Sequence, residues 1–230
     1  MNPIYNPLQN PSIELFGLRI DEPITAGTDV IVALIGILGY FKIARSKNLR
    51  HVSVYSYFFL GTGISTMVAG ILGHAFLYRF GYEIKMVGWV LGIMGTCFAQ
   101  FGAVYHLKNS LIPNTFKTLL WICYAEVVIS MSILVLRPSF MVVICHTAFG
   151  LILMVTILEA VNYSKTKSKL SIMMIYGVGL AIVAIIAHTT RISISKWFNY
   201  LDISHVFLGL SLYVMISGVL FEQKNNPIKA

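Results

Sequence analysis

An aspartate and a histidine stand three residues apart near the C-terminus, within the stretch "WFNYLDISHVFLGLSLYVM" of residues 197–215. If this stretch is helical, Asp202 and His205 occupy positions i and i+3 and therefore share one face. A carboxylate beside an imidazole can transfer protons, and imidazole is also a frequent ligand of divalent metals. The pair is a candidate for acid–base or metal chemistry in surroundings that are otherwise apolar.

Four more ionisable side chains stand in apolar surroundings of the same kind: Asp29, His74, His146 and His188. Three neutral imidazoles with one open position form the ligand set of a catalytic zinc ion, which lowers the pKa of bound water toward about 7. We predict a zinc site whose ligands come from His74, His205, His188 and His146. Asp202 or Asp29 would orient a ligand or act as the general base. No H-E-x-x-H motif occurs, so the prediction rests on position.

Each of these residues also has a purely structural interpretation. Asp202 could cap the N-terminus of its helix, and Asp29 could be a first-turn residue favoured by the helix dipole. His188 could lie at the level of the lipid headgroups, and His146 could be a hydrogen-bonded histidine of the core. His74 is the hardest to explain in this way, because more apolar residues follow it.

The composition indicates which kind of fold must position these side chains. The chain has 230 residues, of which 57% are hydrophobic and 11% charged, whereas soluble domains carry about 25% charged residues. An apolar helix needs about 20 residues to cross a bilayer. Seven runs are long enough: 24–43, 53–77, 86–107, 116–136, 139–161, 170–190 and 199–221. We predict an all-α polytopic membrane protein with one seven-helix transmembrane domain over 1–230, a short extramembrane segment at 1–23 and a short tail at 222–230.

The sequence argues against a signal peptide and against cysteine-based structural sites. The leader before the first run, "SIELFGLRIDEP", is acidic and no small-residue cleavage pattern follows, which argues against a signal peptide. The cysteines each fall in a different run without C-x-x-C spacing, which argues against a disulfide framework or a thiolate zinc site. They are Cys97, Cys123 and Cys145.

The lysines and arginines between the runs predict the orientation. If the N-terminus lies outside, the inner side carries eleven of these residues and the outer side six. The positive-inside rule therefore favours N-out/C-in. The net charge of +8 then belongs to loops that face anionic inner-leaflet lipid, and a nucleic-acid partner is not expected.

The same orientation gives each ionisable residue an approximate depth, at 1.5 Å of helix rise per residue. His74, His188, Asp202 and His205 fall near the outer helix ends, with Asp29 just inside and His146 about two turns deeper. A charge in the bilayer centre costs at least about 2.5 kcal/mol, so such residues normally face the bundle interior. We predict one cavity in the outer-leaflet half.

Other residues are expected to serve the structure. His51 and His106 would be ordinary residues of the inner interface, Glu126 in the middle of the fourth run must be protonated or paired, and Glu159 would reach Lys165 or water. A stripe of small residues at four-residue spacing permits close helix packing in the second run. The stripe consists of Gly61, Ser65, Ala69 and Gly73.

Seven helices, a histidine at the end of the second and a polar, histidine-bearing start to the seventh resemble a superfamily of seven-helix membrane hydrolases. It includes the alkaline ceramidases and the progestin and adipoQ receptors. There a Ser-x-x-x-His on helix 2, an Asp on helix 3 and a His-x-x-x-His on helix 7 hold a zinc ion used for amide hydrolysis. The resemblance implies that His74 matches the helix 2 histidine and His205 one of the helix 7 pair.

The chain departs from that pattern at three places. Gly70 replaces the serine, no aspartate occurs in the third run, and Asp202-x-x-His205 replaces the histidine pair. A divergent member would complete its metal sphere with Asp202, His188 or His146, or would have lost the metal.

The leading hypothesis is a zinc-dependent hydrolase of a lipid amide or ester in the cell (plasma or inner) membrane. One alternative is a non-enzymatic receptor or a subunit of a membrane assembly, with lipids and other membrane proteins as partners. A further alternative is a b-type haem protein, in which His74 and either His146 or His188 are the axial ligands. A retinal protein is disfavoured because no lysine lies inside the seventh run.

Overall fold

Seven long helices make up most of the chain. The computed structural model describes residues 11–44 and 49–225. The helices are α1 (Pro23–Ile43), α2 (Arg50–Ala75), α3 (Ile84–Ser110), α4 (Pro113–Leu136), α5 (Phe140–Thr166), α6 (Lys169–Thr190) and α7 (Tyr200–Asn225). Each is long and apolar enough to cross a membrane. The prediction of an all-α fold with seven such helices is confirmed, and this architecture is compatible with an integral membrane protein.

A small antiparallel hairpin precedes the bundle. Its strands are β1 (Ser12–Leu15) and β2 (Leu18–Asp21), with Ser12 paired to Asp21. The two turn residues, Phe16 and Gly17, both have positive φ, at 51° and 73°, as the twist of a two-residue hairpin requires. We did not foresee this hairpin, because Phe-Gly is not one of the usual turn pairs. It leads directly into Glu22, which is buried at the start of α1.

Short loops connect successive helices, so the helices run alternately in opposite directions. We call the end that holds the hairpin, and the loops at 76–83, 137–139 and 191–199, the hairpin end. The other end holds the loops at 111–112 and 167–168 and the last turn of α7, and we call it the tail end. Parts of the predicted extramembrane segment (1–10), of the basic cluster after α1 (45–48) and of the tail (226–230) lie outside the described residues.

Six of the helices pack closely around a common core, and α4 lies at the edge of the bundle. The most extensive contacts join α6 to α7, α2 to α3, and α1 to both α2 and α7. Tyr55, Phe59, Leu212 and Met215 are fully buried where these helices meet. By contrast, α4 leaves much apolar surface uncovered, and Trp121 remains 72% exposed. In a membrane this surface faces lipid chains, which carry no penalty for apolar contact.

The stripe of small residues on α2 lies against α3, as its spacing predicts. A Cβ atom built on Gly61 would lie 2.7 Å from Cα of Gly95, which is closer than any side chain tolerates. One turn later, the hydroxyl of Ser65 donates to the carbonyl oxygen of Gly88 at 2.7 Å. The two backbones therefore touch over several turns, and this contact fixes the position of α2 relative to α3.

Replacing Gly61 by alanine should destabilise the bundle, because the added methyl group has backbone atoms rather than a flexible side chain in its way. We expect the free energy of unfolding to fall by about 1–3 kcal/mol, measured by thermal unfolding in detergent. Gly179→Ala is the matched control, since a Cβ at that helical position meets nothing within 4 Å. Equal melting temperatures for the two variants would contradict the packing described above.

Candidate active site in the hairpin-end cavity

A cavity of about 1000 Å³ runs from the hairpin end toward the middle of the bundle. This volume is at the upper end of the range for small-molecule sites, about 300–1000 Å³. Much of its wall is apolar, with Phe58, Leu151 and Leu208 among the lining residues. Its titratable lining residues gather near the hairpin end, and they include Glu22, Asp29, His74, Lys85, His188 and His205. The cavity is thus apolar along its length and polar at one end.

Asp29, His74 and His205 meet at the polar end of the cavity, and each comes from a different helix. Asp29 of α1 is buried, with 2% of its surface exposed. Its Oδ1 lies 3.3 Å from Nε2 of His205 on α7. Its Oδ2 lies 3.9 Å from Nε2 of His74 on α2, which is beyond hydrogen-bonding distance. We call these three residues the Asp29 cluster.

The second ring nitrogen of each histidine is held by another side chain. Nδ1 of His74 lies 2.5 Å from the Glu22 carboxylate, and Nδ1 of His205 lies 2.9 Å from the hydroxyl oxygen of Thr28. That hydroxyl also donates to the carbonyl oxygen of Thr25 at 3.0 Å, so we assign it as the acceptor of the His205 Nδ1 proton. With Nδ1 donating, each neutral ring presents an Nε2 lone pair to the Asp29 carboxylate.

The Asp29 carboxylate is incompletely satisfied. Among the described residues, its Oδ2 has no hydrogen-bond partner. A buried carboxylate oxygen normally accepts several hydrogen bonds, and leaving it without one is costly. Lone pairs that face a carboxylate repel it unless a cation or protons lie between them. The cluster therefore has the composition and the orientation of a site for a positive ion or for mobile protons.

A carboxylate and two imidazoles are suitable ligands for zinc or a similar ion, but the distances between them would have to change slightly. Ligands of a tetrahedral zinc ion lie roughly 3.3–3.5 Å apart, as two bonds of about 2.0–2.1 Å imply. The contact between His205 and Asp29 matches this separation at 3.3 Å, whereas that between His74 and Asp29 is longer at 3.9 Å. Among the described residues, the donor atoms of these three do not all lie within 4.8 Å of one another. Binding would draw the His74 ring toward Asp29.

Three further residues of this region escaped the sequence analysis or had another role there. Lys85, counted only as a basic residue of a loop, lies at the start of α3 on the cavity wall, where its charge interacts with Glu22 and Asp29. Thr28 had not been singled out, although it stands next to Asp29 in the sequence. Glu22 had been noted only as the tip of the acidic leader, and the hairpin is what places it against His74.

Asp202 helps to cap α7, but from the third position of the helix, because Asn199 rather than Asp202 precedes its first residue, Tyr200. Its Oδ2 accepts the backbone N–H of Asn199 at 2.6 Å, while Oδ1 of Asn199 accepts the N–H of Leu201 at 2.8 Å. This reciprocal pattern is a capping box at the start of α7. The other oxygen of Asp202 lies 3.4 Å from the Thr28 hydroxyl. Asp202 thus anchors α7 to α1, and it is not among the described residues that line the cavity.

The hydrogen bonds and ring contacts of His188 and His146 are made with residues outside the Asp29 cluster. The His188 ring is on the cavity wall, where it packs against Phe140 and Tyr200 with centroids 5.1 and 5.5 Å away. His146 is fully buried elsewhere, with Nδ1 2.8 Å from Glu126 and Nε2 3.0 Å from the carbonyl oxygen of Ile93. Both of its nitrogens are engaged, so it is a hydrogen-bonded core histidine. We expected four histidines in one cavity, but only His74, His188 and His205 line it among the described residues, and His146 does not.

The partner of His146 explains how Glu126 is accommodated in the middle of α4. Besides His146, its carboxylate accepts the Ser130 hydroxyl at 2.8 Å and the Gln100 amide at 3.2 Å. The sequence required this glutamate to be protonated or paired, and it is paired. The group joins α3, α4 and α5 at a depth where water is scarce.

Asp29 and Asp202 should respond in opposite ways to substitution in the metal-free protein. Asp202→Ala leaves the Asn199 N–H without its acceptor, and we expect it to lower the free energy of unfolding by about 1–3 kcal/mol. Asp29→Asn removes a charge whose Oδ2 is unsatisfied among the described residues, so it should leave stability unchanged or raise it. Thermal unfolding after treatment with a chelator measures both, and a larger loss for Asp29→Asn than for Asp202→Ala would contradict the assignment.

Comparison with known proteins places the chain in a family. No curated protein matches the chain in sequence. A family of unknown function, DUF6962, matches residues 24–224. This range contains Thr28, the Asp29 cluster and Lys85, while Glu22 and the hairpin precede it. Because the match extends over nearly all of the seven helices, the chain belongs to the DUF6962 family.

Proposed function

We propose that this protein is a metal-dependent hydrolase of a lipid amide or ester, with a divalent ion such as zinc held by Asp29, His74 and His205. The observation that supports this proposal is the buried Asp29 carboxylate, which two oriented imidazole nitrogens face from 3.3 and 3.9 Å. Carboxylates and imidazoles brought together in a low-dielectric interior normally bind a cation or share protons.

The orientation that accompanies this proposal is N-out/C-in. The described lysines and arginines at the tail end number eight: Lys42, Arg50, Lys108, Lys117, Lys165, Lys167, Lys169 and Lys224. The hairpin end has six: Arg19, Arg79, Lys85, Arg137, Arg191 and Lys196. Since the positive-inside rule places the richer side in the cytoplasm, the cavity opens in the outer-leaflet half of the plasma or inner membrane.

The cavity suits a substrate with a long apolar part and one polar group. Its walls at Phe58, Leu151 and Leu208 can contact an acyl chain, and the substrate's carbonyl group then lies at the polar end, beside the Asp29 cluster. Packing of the chain against these walls excludes water from the polar end, which strengthens the electrostatic interactions there.

The ion, when bound, supplies a Lewis acid and lowers the pKa of coordinated water. Residues of the chain supply the remaining functions. Glu22 holds the proton on Nδ1 of His74, which fixes the orientation of the ring and leaves Nε2 directed at Asp29. Thr28 orients His205 in the same way. Lys85 lines the same cavity, and its ammonium group can stabilise negative charge that develops on the carbonyl oxygen of the substrate.

The resemblance to the seven-helix hydrolases is consistent with this proposal at His74 and His205. Asp29 of α1 would be the third ligand, a residue that the resemblance had not supplied. Asp202, His188 and His146 were the ligands expected to complete the sphere, and their contacts leave Asp29 as the better choice.

A second candidate is a non-enzymatic membrane protein that binds an amphiphile in the same cavity. The spacing of the Asp29 cluster favours it, since the donors are wider apart than in a loaded metal site. The haem alternative is weaker. Both ring nitrogens of His146 bond to the protein, and this leaves only His188 as the axial partner of His74.

Metal content distinguishes these functions. We expect the purified protein to lose about one equivalent of zinc when His74, His205 or Asp29 is replaced by alanine, because each supplies one ligand. His188→Ala and Asp202→Ala are the matched controls and should retain that equivalent. Elemental analysis with an absorption spectrum measures the outcome. A folded wild-type protein that binds neither zinc nor haem at this site would overturn both metal-based functions and favour the amphiphile-binding candidate.

Glu22 should act as a positioning residue for the metal. Glu22→Gln removes the charge that holds Nδ1 of His74, and we expect the affinity for zinc to fall about 10–100-fold. Competition with a chromophoric chelator measures the change. Glu83→Gln serves as the control, since Glu83 is an exposed carboxylate at the same end of the bundle. An equal effect of both variants would show that only the general negative charge of this end matters.

A further inference from the structure

We propose that His51, His106 and Glu222 form a second binding site for a divalent transition metal, at the tail end of the bundle. Each offers one ligand atom, and these atoms all lie within 4.8 Å of one another. They come from three helices: the start of α2, the end of α3 and the end of α7. The inference is independent of the proposed hydrolase function, because the Asp29 cluster lies at the opposite end.

His51 and Glu222 face one another across a gap that no hydrogen bond closes. Nε2 of His51 lies 3.9 Å from Oε1 of Glu222, which is too long for a direct hydrogen bond. Two ligands of a tetrahedral zinc ion lie roughly 3.3–3.5 Å apart, so binding would draw these two side chains slightly closer together. Within the described parts of the chain, this buried Nε2 has no hydrogen-bond partner. A nitrogen in such a position can bind an ion without giving up an existing contact.

His106 is oriented as metal-binding histidines usually are. Its Nδ1 lies 2.9 Å from Oε2 of Glu159, a carboxylate with no exposed surface. The hydroxyls of Tyr55 and Ser171 both donate to that carboxylate. A buried carboxylate held by two donors fixes the Nδ1 proton of the imidazole, and this arrangement leaves the Nε2 lone pair for a metal.

Asn162 must adjust when an ion binds. Its Nδ2 lies 3.1 Å from Nε2 of His106 and 3.0 Å from Oγ of Ser171. The amide can keep its contact with Ser171, but the N–H that points at Nε2 of His106 must turn to another acceptor. Binding at His106 therefore costs the hydrogen bond from Asn162, and the bond to the ion has to outweigh this loss.

The two imidazole rings are stacked side by side. The rings of His51 and His106 lie 4.5 Å apart between centroids, at 22° to one another. This arrangement keeps the two candidate nitrogen ligands close together. Two imidazoles and one carboxylate suit zinc, cobalt(II) or nickel(II), whereas calcium and magnesium prefer oxygen ligands.

Cobalt(II) is a suitable probe, because its visible absorption reports coordination by histidine nitrogen and carboxylate oxygen. The full chain with Asp29→Asn, which disables the proposed hydrolase site, is stripped of metal and titrated with Co²⁺. We expect about one equivalent to bind, and addition of Glu222→Gln or His51→Gln should weaken the affinity at least about 10-fold. Glu14→Gln, on the exposed hairpin, is the control and should leave binding unchanged.

A second measurement keeps the test decisive if one variant is unstable. Zinc should raise the melting temperature of the Asp29→Asn chain, since an ion that binds only the folded state stabilises it. The isosteric Glu222→Gln variant should fold but lose that rise. Absence of Co²⁺ binding in the Asp29→Asn chain, or equal binding in the Glu222→Gln variant, would overturn the second site whatever the Asp29 cluster does. If the wild-type chain binds metal at the second site but none at the Asp29 cluster, the proposed function is overturned and the second site stands.

Discussion

The arrangement of this bundle depends on one constraint: an ionisable side chain between apolar helices must find its partners on other helices, because lipid and core side chains do not solvate charge. Among the described residues, ionisable side chains from different helices come together in three groups. One joins α1, α2 and α7 around Asp29, one joins α3, α4 and α5 around Glu126, and one joins α2, α3, α5 and α6 around Glu159. Each group ties together helices that apolar packing alone would leave free to rotate.

The groups differ in how completely their hydrogen bonds are made, and this difference separates structural roles from binding. Glu126 and Glu159 each accept from three side chains, and both are adequately explained as parts of the core. Four buried side-chain atoms have no hydrogen-bond partner among the described residues: Asp29 Oδ2, His51 Nε2 and the amide oxygens of Gln100 and Gln223. Buried polar atoms are normally bonded, and of these four only Asp29 Oδ2 and His51 Nε2 belong to the clusters on which the two proposals rest.

Local departures from regular structure position the Asp29 cluster. The last part of α2, Ala69–Ala75, is a π-helix that includes His74. An extra residue in that turn changes the face on which His74 lies, and such turns often occur at functional sites. The hairpin adds Glu22 from outside the matched range of the family. The proposed metal ligands therefore lie in the part of the chain that defines the family, while the residue that orients one of them lies outside it.

The sequence alone determined the seven helices, the small-residue contact between α2 and α3, and the end of the bundle at which Asp29, His74 and His205 lie. Hydropathy and spacing are local properties, and they report depth along a helix. Only the tertiary structure decided which side chains meet. Helix rotation, the π turn and the hairpin select Asp29 rather than Asp202 as the residue between the two histidines. They also pair His146 with Glu126, and they bring His51, His106 and Glu222 together from helices far apart in the sequence. The sequence indicates how deep a side chain lies along its helix, whereas its direction around the helix axis and its neighbours depend on how the helices pack.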